Sequence, residues 1–106
     1  MAKFVKVVVF VPKTFLEIVR QAMFAAGAGQ IGKKYDNCTF ISYGEGTFRA
    51  LPGADPYIGK IGKVETVKEA RLETIVAKKD LKKIIKAIKK AHPYEEPAID
   101  IIPLLN

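Results

Sequence analysis

The chain has 106 residues, 49% of them hydrophobic, with a mean hydropathy of +0.09 and a formal net charge of +7. This is the size of one domain, residues 1–106, able to bury roughly two-thirds of its unfolded surface, and its apolar content excludes a disordered chain. The single cysteine, Cys38, excludes an internal disulfide, and the apolar run at residues 7–11 is too short to span a membrane.

Residues 3–11 (KFVKVVVFV) are β-branched or aromatic almost without interruption and stop at Pro12. That pattern predicts a central strand, covered on both faces or lining an interface. Thr14 and Glu17 have the spacing of a capping box, in which the hydroxyl accepts a free helix amide and the glutamate reaches back. Leu16, Val19, Met23 and Ala26 then recur at three- and four-residue spacing, and Gly27 stands where a left-handed C-cap belongs. A helix of about three turns is expected.

Residues 38–43 alternate and are β-prone, Gly44-Glu45-Gly46 reads as a tight turn, and residues 47–51 read as a returning strand. The expectation is a hairpin. Residues 52–62 hold two prolines and three glycines and read as a loop, ordered or partly mobile. Residues 64–77 read as a long strand with charges on its exposed parts. Asp80 is placed to cap a second helix, with Leu81, Ile84, Ile85, Ile88 and Ala91 on one face and His92-Pro93 ending it. Residues 97–104 form the last strand, with Pro97 and Pro103 placing its ends at a sheet edge or bulge.

The fold class that follows is α+β: a ferredoxin-like βαββαβ sandwich with an extra central β-hairpin. Two helices cover one face of its four-stranded sheet. Strands this apolar imply that other subunits cover the second face, so an oligomer is expected. Lys78, Lys79, Lys82, Lys83, Lys86, Lys89 and Lys90 equal the whole charge excess. They read as the solvated face of the second helix, and without interleaved aromatics they do not form a nucleic-acid surface. With no targeting pattern, the expected location is the cytoplasm.

Four motifs bear on chemistry. Gly27-Ala28-Gly29-Gln30-Ile31-Gly32 matches G-x-G-x-x-G literally, but a helix precedes it and a strand-like segment follows. The dinucleotide fingerprint requires the reverse, so a helix C-cap and turn is the preferred reading over an anion cradle. His92 is the only histidine, and with Glu95, Glu96 and Cys38 (or Glu69) it makes a candidate divalent-metal set, most readily across a subunit boundary. Cys38 lies in an apolar strand context with no evident cationic neighbour, which argues against a Cys38–His92 nucleophile–base pair. Glu95 and Glu96 are adjacent, so on an extended chain they point to opposite faces and do not make a glycosidase-like pair.

Taken together, the spaced residues Gly27, Gly29, Gly32, Tyr35, Cys38 and Phe40, then Gly44-Glu45-Gly46-Thr47-Phe48-Arg49, Gly53-Ala54 with Pro56-Tyr57 and Gly59, and His92-Pro93-Tyr94-Glu95-Glu96-Pro97-Ala98 form a pattern. It closely resembles the domain inserted within the longer Nif-three-like (NGG-interacting-factor-like) proteins, here as a separate chain. The likeness covers residues 4–104. The His-Pro-Tyr-Glu-x-Pro segment is also similar to the end of CutA-type divalent-cation-tolerance proteins, and the insert is regarded as related in fold to CutA and the PII signalling proteins. The resemblance implies a ferredoxin-like fold assembled as a homotrimer with the free sheet faces turned together. It carries over no metal residue from the Nif-three-like halves that flank the insert. From CutA, Tyr94, Glu95 and Pro97 map onto a region linked with the trimer and a suspected metal or ligand cleft.

The resulting expectation is a trimeric regulatory or ligand-binding module rather than an enzyme. Its candidate ligand-binding residues are Gly27, Gly29, Gly32, Tyr35, Gly44, Gly46, Phe48, His92, Tyr94 and Glu95. The glycines permit close backbone approach, and His92 and Glu95 supply polar selectivity. The alternatives are a CutA-like copper- or zinc-binding protein, with His92, Glu95, Glu96 and Cys38 as the metal set, and a protein-interaction module docking through residues 52–62.

Overall fold

A computed structural model describes residues 3–105. β1 (Phe4–Pro12) leads through a 3₁₀ turn at Lys13–Phe15 into α1 (Leu16–Ala25). β2 (Thr39–Arg49), β3 (Val64–Ala77), a 3₁₀ turn at Lys78–Asp80, α2 (Leu81–Ala91) and β4 (Ile99–Pro103) follow. The four strands form one antiparallel sheet in the order β2-β3-β1-β4. This is the expected ferredoxin-like sandwich, with the apolar β1 in the interior of the sheet and the proline-ended β4 at its edge. Alternate residues Val5, Val7, Val9 and Val11 of β1 face the helices and pack with Leu72 and Val76 of β3, Val19 and Met23 of α1, and Ile84 and Ile88 of α2. The period of two on the strand and of three to four on the helices is thus satisfied by one core.

The end of α1 follows the sequence reading. Gly27, at φ 107°, donates its N–H to the Phe24 carbonyl, and the Ala28 N–H donates to that of Met23. These two bonds make a Schellman motif, and they use two carbonyls the helix would otherwise leave free. The caps at the other ends differ from expectation. The 3₁₀ turn moves the first residue of α1 past Thr14, whose hydroxyl makes no cap, and Glu17 instead pairs with Arg20 at 2.7 Å. Asp80 does occupy the N-cap of α2, but its carboxylate makes no capping bond and lies 3.6 Å from Lys83.

The central hairpin is the main correction. Gly44-Glu45-Gly46 is not a turn: β2 runs straight through it, paired with β3 from Thr39↔Thr74 to Arg49↔Val64. Neither Gly44 nor Gly46 has a positive φ. A fourteen-residue β3 offers a long edge, and a continuous β2 satisfies far more of it than a short hairpin would. Because β1 ends at Pro12↔Glu69, the β2–β3 pair projects beyond the rest of the sheet as a two-stranded arm. The molecule measures 47 × 24 × 22 Å as a result.

The sheet face away from the helices is mixed rather than uniformly apolar. Lys6 and Arg71 flank Glu73 at 3.6 and 3.5 Å, and the Arg71 guanidinium lies over the Phe10 ring. Between and beside these charges, Phe40 and Ile102 remain exposed at 67% and 43%. No helix among the described residues is long and apolar enough to cross a membrane.

Candidate functional site

The loop 50–63 joins the tips of the arm and folds back rather than extending into solvent. Its base is closed by the Gly62 N–H on the Ala50 carbonyl at 2.7 Å, and Tyr57 packs edge-on against Phe15 with ring centres 5.7 Å apart. Further along, the Asp55 N–H donates to Glu95 Oε1 at 2.9 Å. The segment 92–98, between α2 and β4, is drawn over the same end of the sheet. Between this segment, the arm and the loop lies a cavity of about 500 Å³. Phe10, Phe48, Tyr57 and Tyr94 supply aromatic walls, and Glu69, Glu95 and Glu96 supply carboxylates. A smaller depression of about 270 Å³ shares Phe10, Gly46 and Glu69 with it and reaches Ser42, Gly44 and Arg71.

His92 sets the position of the cavity's central ring. It is 5% exposed and caps the free end of β1. The Phe10 N–H donates to the Ala98 carbonyl, while the Phe10 carbonyl, which Ala98 does not reach, is 2.7 Å from His92 Nε2. The Tyr94 N–H donates to His92 Nδ1 at 3.1 Å. An accepting Nδ1 carries no proton, so the ring is neutral with its hydrogen on Nε2, donating to Phe10. Burial holds the pKa of His92 below its ordinary value, against the opposing pull of the Phe10 carbonyl and of Glu69. Both ring nitrogens are therefore occupied by the fold.

Tyr94, held in this way, points into the cavity. Its ring tilts against that of Phe48 at 5.9 Å, and its hydroxyl donates to Glu69 Oε2 at 3.1 Å. Burial and the neighbouring Glu69 carboxylate raise the tyrosine pKa, so the phenol stays protonated and remains a donor. Glu69 reaches this position by lying across Gly46, its diagonal neighbour on β2, where any Cβ would collide with the carboxylate. Gly46 is thus glycine because a side chain crosses it, not because the backbone turns.

Of the ligand candidates read from the sequence, Gly46, Phe48, Tyr94 and Glu95 line the cavity, Gly44 lies in the adjoining depression, and His92 stands behind Tyr94. Gly27, Gly29, Gly32 and Tyr35 lie elsewhere in the chain's structure, beside the other end of β3. There the Gly29 N–H donates to the Ile75 carbonyl, and the Gly29 carbonyl accepts from the Cys38 N–H. A methyl group placed on Gly29 would sit 3.0 Å from the Cys38 nitrogen and 3.1 Å from the Phe24 ring. The close approach that Gly29 permits is to its own chain. Gly32 sits in the turn bridged by Ile31 and Tyr35, and the Tyr35 side chain is 70% exposed.

The proposed metal set does not converge within one chain. Cys38 begins the other end of the sheet, its thiol turned to the Asp36 carbonyl and its own carbonyl accepting from Thr74. Among the described residues no three His, Cys, Asp or Glu side chains are placed to hold one ion. Sequence reasoning missed Glu69 as a cavity wall, along with Tyr57 and Phe10. The available signal was register: a straight β2 places Gly44 opposite Glu69 and Gly46 one step along.

No family model matches the chain. A "GTP cyclohydrolase 1 type 2 homolog" of Halalkalibacterium halodurans is 52% identical over 101 residues, which cover 95% of this chain and 27% of that protein. The Bacillus subtilis protein of the same name is 50% identical over 99 residues. Among solved structures, a Bacillus cereus protein related to NIF3 superposes with a TM-score of 0.84 at 48% identity, covering 99% of this chain and 26% of that one. The chain matches the small domain of these larger NIF3-related proteins. It spans about a quarter of the length of the curated relatives it matches. The CutA protein of Archaeoglobus fulgidus, at 17% identity and a TM-score of 0.68, covers 97% of the chain and 85% of its own, and shares the fold.

Proposed function

We propose that this NIF3-type small domain is a regulatory or ligand-binding module, assembled as a homotrimer, whose site is the cavity beneath the arm. The observation that carries this reading is the pair of bonds that fasten the cavity's walls, Tyr94 to Glu69 and Asp55 to Glu95. Both join residues far apart in sequence, so the cavity is a product of the tertiary fold. The fold shared with CutA and the exposed Phe40 and Ile102 on the open sheet face support assembly through that face. The ion pairs on the face are already formed within each chain, which lowers the cost of burying them.

The name carried by the relatives refers to proteins about four times as long, and the cavity itself is a poor match to a nucleoside triphosphate. Its three carboxylates would face the phosphates. A metal-binding function of the CutA kind would need donors from more than one subunit, because His92 is committed to Phe10 and Tyr94.

Native mass spectrometry of the isolated chain tests the reading. A trimer with a stoichiometric added mass, lost in Gly46→Leu, is the expected result. A monomer would remove the assembly, and an added mass that Gly46→Leu retains would remove the site.

A further inference from the structure

The cavity combines two properties in a chain with eighteen basic and eleven acidic residues. Its walls are aromatic, and its charged side chains are three carboxylates, Glu69, Glu95 and Glu96, against one arginine, Arg49. Glu69, Glu95 and Glu96 form no ion pair among the described residues, although Arg49 also lines the cavity and Arg71 lies in the adjoining depression. Glu95 has one oxygen committed to the Asp55 amide. Glu69 has Oε2 committed to the Tyr94 hydroxyl, while Oε1 lies over Gly46 at the join of the two depressions. Elsewhere on the same sheet face, Glu73 is flanked by both a lysine and an arginine. The cationic partner is missing where the space is.

We infer that the cavity takes a small organic cation with a planar apolar body, such as an aromatic amine, amidine or guanidine. This rests on the reading of the cavity as a ligand site. The planar body packs against the Phe48 and Tyr94 rings, which already touch each other with centres 5.9 Å apart and line one wall, and whose faces also attract a cation. The positive group is placed against Glu69, where a charge-assisted hydrogen bond is about twice as strong as a neutral one. Tyr94 donates its only hydroxyl proton to Glu69 and so leaves its ring face and oxygen lone pairs towards the ligand. An anion would meet the three carboxylates and is disfavoured.

The test uses three probes of one shape on the full chain: benzamidine, benzamide and benzoate, titrated by calorimetry and followed at the Phe48 and Tyr94 resonances. Benzamidine is expected to bind at least about tenfold more tightly than benzamide, about 1.4 kcal/mol. Glu69→Gln keeps an acceptor for Tyr94 and should erase that preference without loss of fold, with Glu96→Gln as the second charge-removing variant. Equal binding of benzamidine and benzamide at these resonances would overturn the charge selectivity and leave the cavity as a ligand site. Tighter binding of benzoate would also overturn it and assign selectivity to Arg49. Benzamidine binding that dissociates the oligomer would show that a neighbouring chain's cationic side chain occupies the cavity, against the inference. No perturbation by any of the three would overturn both the inference and the ligand site itself.

Discussion

Two glycine-rich regions of this molecule sit at opposite ends of one long strand and do opposite things. At the Ile75 end of β3 the 27–38 segment closes on itself: the Gly29 backbone exchanges hydrogen bonds with Ile75 and Cys38, and the space beside it is filled by Cys38 and Phe24. At the Glu69 end the arm, the 50–63 loop and the 92–98 segment stand apart around about 500 Å³ of open space. Glycine content alone does not distinguish a packed turn from the wall of an open cavity. What distinguishes them is whether the atoms approaching the glycine belong to the protein's backbone or to a side chain that walls a cavity.

The sharpest way to break this comparison is Gly29→Ala. The residue has φ 83° and its added methyl would press on backbone that cannot move aside. A loss of about 2–4 kcal/mol in urea-unfolding stability is expected, combining left-handed strain with overpacking. A neutral result would mean that the packed end is as accommodating as the open one.

A smaller effect belongs to His92, which serves the open end structurally. His92→Gln should cost about 1–3 kcal/mol through the buried groups it leaves poorly paired. Its pH dependence has a definite sign. The folded pKa lies below 6.5, so below that value the unfolded chain takes up the proton more readily than the folded one. The stability associated with neutral His92 is therefore complete above pH 6.5 and declines as pH falls through the lowered folded value. The difference between wild type and His92→Gln, measured by denaturation from pH 7.5 downwards, should shrink across that window. A constant difference would place the proton elsewhere.

The smallest effects separate the two strand glycines. Gly44→Ala meets nothing within 4 Å and should change stability by no more than about 0.5 kcal/mol. Gly46→Ala must displace the Glu69 carboxylate from Tyr94, and the changed tyrosine environment should appear in near-ultraviolet absorbance or ring resonances. Equal behaviour of the two variants would mean that Glu69 does not cross Gly46.

The sequence made the scaffold readable where its signals are local. The fourteen-residue β3, the apolar β1 and the Gly27 cap each depend on residues close in the chain, and each is found where the pattern places it. The hairpin was misread because Gly-Glu-Gly is also what a turn looks like, and only the length of the distant partner strand decides between a turn and a straight run. Phe48, Tyr94 and Glu95, which the motifs single out, line the cavity. Glu69 was not legible as a wall, because its role depends on a diagonal pairing across strands and a missing Cβ on the neighbour. The caps at Thr14 and Asp80 were lost to short 3₁₀ turns, which leave no strong mark on composition.

The single bond from the Asp55 amide to Glu95 spans forty residues of chain. It ties the loop at the tip of the arm to the segment that continues directly from α2, so opening either one must break it. In hydrogen exchange the Asp55 amide then reports the release of the loop from the 92–98 segment. Any molecule that holds the two together slows exchange in both at once, and α2, attached at Ala91, receives the same signal through the backbone.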